Sequence, residues 1–360
     1  MPPLSNPKTL FDPVTLGDIA LANRIIMAPM TRSRAGDGDV PTDLNVEYYR
    51  QRATAGLIVS EGTQPSADGK GYCRTPGIHT PAQIAGWRKV TDAVHAEGGK
   101  IVLQIMHCGR IGAKANKDAG SETVAPSAIQ AKGQMFTDTA GMQNFDMPRA
   151  LETNEIPGVI AEFGTAAKNA LEAGFDGVEL HAASGYLPMQ FLSTGANTRT
   201  DRYGGSAANR VRAVVEMLEA MATVAGPGRV GIRICPGVAF NDIQDDDPAE
   251  TYATLLNAID PMKLAYLHMI LLKTPQVDGL AVAKANFTGP MILNDSITLE
   301  RGNAMVDSGE AAAVSFARHF LGNPDLVRRL REGHDLQHFD RKTLYTPGPV
   351  GYTDYPFINK

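Results

Sequence analysis

His181, Ser184 and Tyr186 fall within six positions of one another and supply an imidazole, a hydroxyl and a phenol. Those groups can hold a carbonyl oxygen and deliver a proton. They emerge at the end of a short apolar strand carrying Val178 and Leu180, which follows Gly174 and the Ala-rich amphipathic run Ala166, Ala167, Ala170 and Leu171. In parallel α/β folds, ligands gather at such strand C-termini. Any one of the three alone is equally consistent with a buried polar side chain satisfied by the backbone. The cluster is more specific because the polar run Asn197-Thr198-Arg199-Thr200-Asp201-Arg202 and the turn Tyr203-Gly204-Gly205-Ser206 follow it.

The elements that must position these residues repeat along the chain. Asn23-Arg24-Ile25-Ile26-Met27-Ala28-Pro29 is the first continuous apolar strand, ended by Pro29. Similar runs recur at Leu57 to Ser60, Ile101 to Ile105, Val178 to Leu180, Val230 to Ile234, Ala265 to Met269, Met291 to Leu293 and Ala313 to Phe316. Helical spacing lies between them, as in Ile84, Trp87, Val90 and Val94, or Val211, Val214, Val215, Leu218 and Met221. Eight buried strands alternating with helices predict an α/β fold, a (β/α)8 TIM barrel formed by residues 1–360 as one domain. A doubly wound sheet is the alternative, but no GxGxxG follows a strand. Phe11-Asp12-Pro13 and Val14 to Ile19 predict a β-hairpin ahead of the barrel, and Asn323-Pro324 predicts the start of the last helix with Asn323 as N-cap. Residues 107–153, rich in Gly, Thr, Ser, Gln and Pro, are too long for an ordinary barrel loop and predict a cap over the top face after the third strand.

Composition narrows the function. A formal charge of −5 without a basic block gives no nucleic-acid or membrane surface, and a small-molecule partner is expected. Cys73, Cys108 and Cys235 lack disulfide or metal spacing, no run approaches the roughly 18 apolar residues of a membrane span, and the expected setting is cytoplasmic. The strand ends bring together Pro29, Met30, Thr31, Gly62, Gln104, His107, His181, Ser184, Tyr186 and Arg233. This set holds neither an acid pair for glycoside hydrolysis nor a metal-ligand cluster. It is a set of hydrogen-bond donors, suited to a flat heteroaromatic cofactor whose phosphate lies near the seventh and eighth strands, and FMN meets that description. Ala182-Ala183-Ser184-Gly185 lacks the first Gly of a nucleophile elbow. Cys108 and His107 are adjacent on a strand end and cannot easily pair, Cys73 is placed beside the pocket near Tyr72, and Lys100 precedes the third strand, the wrong end for an aldolase Schiff base.

From Leu10-Phe11 to Gly351-Tyr352-Thr353-Asp354-Tyr355-Pro356 the sequence resembles the Old Yellow Enzyme family of FMN-dependent ene-reductases, above all its bacterial N-ethylmaleimide and nitrate-ester reductase branch. The resemblance implies that the N-terminal hairpin plugs the barrel bottom and that FMN is bound by Ala28, Pro29, Met30, Thr31, Gly62, Gln104, His181, Arg233, Asp295, Ser296, Ala317 and Arg318. Thr31 would lie beside the flavin C4 carbonyl and N5, Gln104 at the pyrimidine edge, Arg233 near N1 and the C2 carbonyl, and Arg318 on the phosphate. NADPH or NADH would reduce the flavin. An enone, enal or maleimide would then take hydride from N5 at Cβ, with its oxygen on His181 and Ser184 and a proton delivered to Cα by Tyr186; nitro compounds and nitrate esters are further acceptors. Tyr72 and Met106 would complete the substrate pocket, no metal is implied, and a monomer or weak homodimer is expected. The chain departs from the family pattern at Ser184, usually Asn or His, at Met106, commonly Trp, at Ala317, usually Gly, and in the loop Leu293-Asn294-Asp295-Ser296, often Gly-rich. Asp295 must therefore point away from a phosphate, and a barrel that binds flavin or another ligand with lost turnover is the competing expectation.

Overall fold

Short runs of aliphatic and β-branched residues pair in parallel because both of their faces are covered, by helices outside and by side chains inside. The computed structural model describes residues 7–358. In chain order its strands are β1 (Val14–Leu16), β2 (Ile19–Leu21), β3 (Ile25–Met27), β4 (Leu57–Val59), β5 (Ile101–Ile105), β6 (Val124–Ala125), β7 (Gln134–Thr137), β8 (Gly141–Asn144), β9 (Arg149–Ala150), β10 (Gly177–Ala182), β11 (Val230–Ile234), β12 (Tyr266–Ile270), β13 (Met291–Asn294) and β14 (Ala313–Phe316). Strands β3, β4, β5, β10, β11, β12, β13 and β14 close into a barrel, all neighbours parallel, with β5 to β10 and β14 to β3 completing the ring. These are the eight predicted apolar runs. The ladder extends β10 through His181 to Ala182, two residues beyond the predicted end, by pairing Ala182 with Ile234.

The hairpin of β1 and β2 is antiparallel, Val14 facing Leu21, and it closes the bottom. Leu16, Ile19 and Leu21 pack with Ile26, Val59, Val102, Tyr266 and other inward residues. Asp18 N–H donates to the Gly228 carbonyl at 2.8 Å, tying the hairpin to the turn that leads into β11. At the top, the segment after β5 folds into a β7–β8 hairpin and the two-residue pairing of β6 with β9, which gives the predicted cap its structure.

One predicted start is corrected. The last helix runs Leu326–Glu332 with Asp325, not Asn323, before it. Asn323 instead closes the preceding helix, Arg318–Gly322, donating from Nδ2 to the His319 carbonyl at 2.8 Å while its Oδ1 accepts from Gln337 N–H. Asn serves that role well because it can satisfy a helix-end carbonyl and a neighbouring chain together.

The C-terminal segment is clasped over the barrel mouth. Arg32 donates to the Leu344 and Gly351 carbonyls, and Arg34 to those of Thr343, Leu344, Gly348 and Val350. The Tyr352 ring stacks on Tyr48 at 4.1 Å, with the Arg34 guanidinium 4.5 Å from its centre.

Candidate active site

Two adjoining hollows open at the strand C-termini. The larger, about 1040 Å³, is lined by Pro29, Met30, Thr31, Gly62, Gln104, Met106, His181, Ser184, Tyr186, Arg233, Tyr72 and Cys73 among others. The smaller, about 450 Å³, lies by the ends of β13 and β14 and includes Asp295, Ser296, Ala317 and Arg318. Ala317, Arg318, Phe339 and Arg341 line both, so the two form one continuous site. Ala28 is set back: it is fully buried and its N–H donates to the Phe316 carbonyl. His107 is also outside the lining, with its Nδ1 accepting from Gly109 N–H.

His181 belongs to β10, and its Nδ1 is buried with no partner among the described residues. Burial and the nearby Arg233 push its pKa down to about 3, so the ring is neutral at physiological pH. A neutral imidazole holds a ligand by hydrogen bonding and has no proton to give away as an acid. Its ring centre is 5.0 Å from that of Tyr186.

Ser184 reaches the cavity from a tight turn between β10 and the following helix. Residues 182–186 are not helical; the next helix spans Leu187–Leu192, and Ser184 takes a left-handed conformation with φ 57°. Its N–H donates to Cys235 Sγ at 3.1 Å, and its carbonyl accepts from Asn241 Nδ2 at 2.7 Å. Both clamps come from the loop side of β11, which explains how a short Ser persists where Gly or Asn is more at ease.

Tyr186 directly precedes that helix and is only 8% exposed. Its hydroxyl lies 3.1 Å from the Tyr72 hydroxyl. Burial, then the Tyr72 and Cys108 neighbours, raise its pKa well above the usual 10.0, and burial likewise takes Tyr72 to about 12. Tyr186 is thus protonated and held facing the cavity. Cys108, pushed up to about 12 by burial, and His107, pushed down to about 3 by burial, give no thiolate–imidazolium pair.

Gly62 leaves room for Met106. A Cβ at position 62 would lie 2.5 Å from Met106 Sδ, so this wall is closed by a sulfur chain packed over a bare backbone. Met106 is 3% exposed and clusters with Cys108, Met135, Phe145 and Tyr186.

At the far end, Asp295 does not turn away. It stays in the lining of the smaller hollow with Oδ1 3.7 Å from Arg318, whose side chain is 62% exposed. Asp295 and Ser296 both take positive φ, 97° and 49°, the backbone shape a glycine-rich turn would have used.

Several lining residues carried no sequence signal on their own: Phe136 and Met142 of the cap hairpin, Phe240 and Asn241 after β11, and Phe339, Arg341 and Tyr345 of the C-terminal segment. They reach the site only through long-range folding. Glu179 and His268 were also missed, although a signal existed, since each is an ionisable residue flanked by apolar neighbours inside a strand.

A family profile described as NADH:flavin oxidoreductase / NADH oxidase family matches residues 9–337. Among curated proteins, 12-oxophytodienoate reductase 1 of Oryza sativa subsp. japonica is 41% identical over 361 residues, covering 98% of this chain and 93% of that protein. A probable flavin mononucleotide-dependent alkene reductase of Leishmania infantum is 39% identical over 355 residues, covering 97% of each. Among solved structures, morphinone reductase in complex with tetrahydroNAD superposes with a TM-score of 0.94 at 46% identity, covering 98% of both chains.

Proposed function

The chain belongs to the NADH:flavin oxidoreductase / NADH oxidase family, and from that premise we propose that it reduces the activated C=C bond of α,β-unsaturated carbonyl compounds, with NADH or NADPH as reductant and FMN as cofactor. The residues present fit the cofactor. The larger hollow can take a three-ring heterocycle, Gln104 and Arg233 offer donors within it, and the smaller hollow carries Arg318, Ser296 and Thr298 where a phosphate would sit, with the Asp295 carboxylate in the same lining offset by Arg318 at 3.7 Å. When bound, FMN supplies the hydride chemistry, from nicotinamide to flavin and from flavin to the alkene carbon β to the carbonyl.

The protein's own part is to hold the substrate oxygen and place a proton. His181 and Ser184 face the same hollow, and a neutral imidazole beside a hydroxyl can polarise a carbonyl and stabilise the enolate oxygen. Tyr186 gives its phenolic proton to Cα, and Tyr72, 3.1 Å behind it, orients that hydroxyl and can return the proton. The cap residues Met135 and Phe145 help keep water from the reacting carbons.

One observation carries this reading: His181, with a buried unpartnered nitrogen, and a protonated Tyr186 converge on one hollow large enough for cofactor and substrate together. The test is the visible spectrum of purified protein, reconstituted with FMN if necessary, followed by anaerobic addition of NADH or NADPH and then of enones, maleimides and nitrate esters. A bound flavin that bleaches and is reoxidised by an enone is expected. No flavin binding, or a reduced flavin that no activated alkene reoxidises, overturns the proposal.

A further inference from the structure

Beneath the larger hollow, six consecutive barrel strands contribute buried polar side chains to one connected belt, Gln104, Glu179, Arg233, His268, Asn294 and Ser315, none more than 8% exposed. Three of the contacts are between register partners, Gln104 with Glu179, Arg233 with His268, and Asn294 with Ser315. Gln104 Nε2 donates to Glu179 Oε1 at 2.8 Å, and the other carboxylate oxygen lies 2.8 Å from His268 Nδ1. His268 Nε2 meets Ser315 Oγ at 2.7 Å and also contacts Arg233 Nη1. Arg233 Nη2 donates to Asn294 Oδ1, and Asn294 Nδ2 to the Ser315 carbonyl, each at 2.8 Å.

We infer that Glu179 is a positioning residue for the flavin: through Gln104 and His268 it fixes the two side chains that face the pyrimidine end of the ring, and its charge offsets that of Arg233. The inference rests on FMN occupying the larger hollow as proposed above. Gln104 and Arg233 line that hollow, whereas Glu179, His268 and Ser315 do not, so the carboxylate acts on a ligand only through its neighbours. Burial of a carboxylate is costly unless hydrogen bonds and an opposite charge compensate it, and here the compensation comes from Gln104 and Arg233, which line the hollow, and from His268, which joins Glu179 to Arg233. Burial opposes the Glu179 charge, yet His268, Arg233 and Gln104 leave its pKa below the ordinary value of 4.5; burial and Arg233 take His268 down to about 4. The belt is therefore a carboxylate, a neutral imidazole and a guanidinium in series. The imidazole donates from Nδ1 to the carboxylate and accepts at Nε2 from the Ser315 hydroxyl, with the Arg233 guanidinium in contact beside the ring.

The sign of the effect follows. Reduction places negative charge on the pyrimidine end, which Arg233 favours and Glu179 tempers. In FMN-loaded protein, Glu179→Gln should shift the two-electron equilibrium toward reduced flavin about tenfold, a midpoint potential roughly 30 mV more positive. Arg233→Met should move the potential the other way. An unchanged potential in folded Glu179→Gln overturns the inference, while wild-type protein that binds no FMN overturns the functional reading instead. If Glu179→Gln does not fold, His268→Asn carries the test, because it breaks the link and leaves both charges. FMN binding should then be about tenfold weaker with little change in potential, and unaltered FMN affinity in folded His268→Asn overturns the inference.

Discussion

Ser184 is the residue at which backbone and chemistry compete. At φ 57° Ser is strained where Asn is several-fold more frequent, yet the N–H and carbonyl are clamped by Cys235 and Asn241. Ser184→Asn should therefore leave the loop in place, relieve the strain and lengthen the donor toward the oxygen held by His181. One direct hydrogen bond in place of a water bridge is worth on the order of 1 kcal/mol, so a para-substituted phenol should bind about fivefold tighter. Titrating the flavin charge-transfer band checks this, and equal or weaker binding removes position 184 from oxygen recognition. Tyr186 is predicted to act only in the second half-reaction. Tyr186→Phe should leave flavin reduction by NADPH or NADH nearly intact and slow reoxidation by weakly activated enones roughly 10²-fold, measured by stopped flow. Equal slowing of both halves would show that the phenol does something else. These three residues were legible in the sequence because adjacency put them on one strand end. The roles of Glu179 and His268 were not, because an ionisable side chain between apolar neighbours marks only a buried polar group, and only barrel closure brings its partners from the other strands around it.

The elements were legible for the reason that makes them strands at all: residues buried on both faces leave continuous apolar runs, and all eight barrel strands carry one. What the runs do not encode is where hydrogen bonding stops. That is decided by the neighbouring strand, as with the added His181 and Ala182 of β10, or by a chain far away, as with Gln337 on Asn323. The junction after β4 has a similar hidden constraint. Glu61, next to Gly62, is buried with its carboxylate accepting from Arg32 N–H, Asn45 and Tyr49, and burial raises its pKa from 4.5 to about 7. Glu61 then binds its proton more tightly in the folded than in the unfolded chain, so its contribution to stability is fully present below about 4.5 and is lost as pH rises through about 7. The loss from this one group is on the order of 3 kcal/mol. Glu61→Gln should flatten that part of the profile, so that the melting temperature falls less between mildly acidic and mildly alkaline buffer than in wild-type protein. An unchanged slope would mean that Glu61 ionises without penalty in the folded chain.

At the scale of the whole molecule, charge is distributed against the net. The chain carries −5 overall, yet the larger hollow is lined by Arg32, Arg74, Arg233, Arg318, Arg341 and Lys342 and by no Asp or Glu. Part of that charge is already committed. Arg32 is buried against backbone carbonyls, Arg233 lies in the polar belt, and Arg74 pairs with Asp138. Arg318, Arg341 and Lys342 are left at the rim, and the last two make no ion pair among the described residues. Low-dielectric walls focus such a field, so an anionic dinucleotide is drawn toward the opening although the protein repels anions at long range. An uncharged enone feels neither effect. Raising ionic strength from about 0.01 M to about 0.15 M shortens the Debye length from about 30 Å to about 8 Å. The second-order rate of flavin reduction by NADH or NADPH should accordingly fall roughly tenfold, whereas the rate of reoxidation by a neutral enone should hold constant. Lys342→Ala should lower the reduction rate at low salt and converge on wild type at high salt, which separates steering from a lost direct contact. If the reduction rate proves independent of salt, or if both half-reactions respond alike, the rim does not guide the reductant, and its basic residues act only after the dinucleotide has bound.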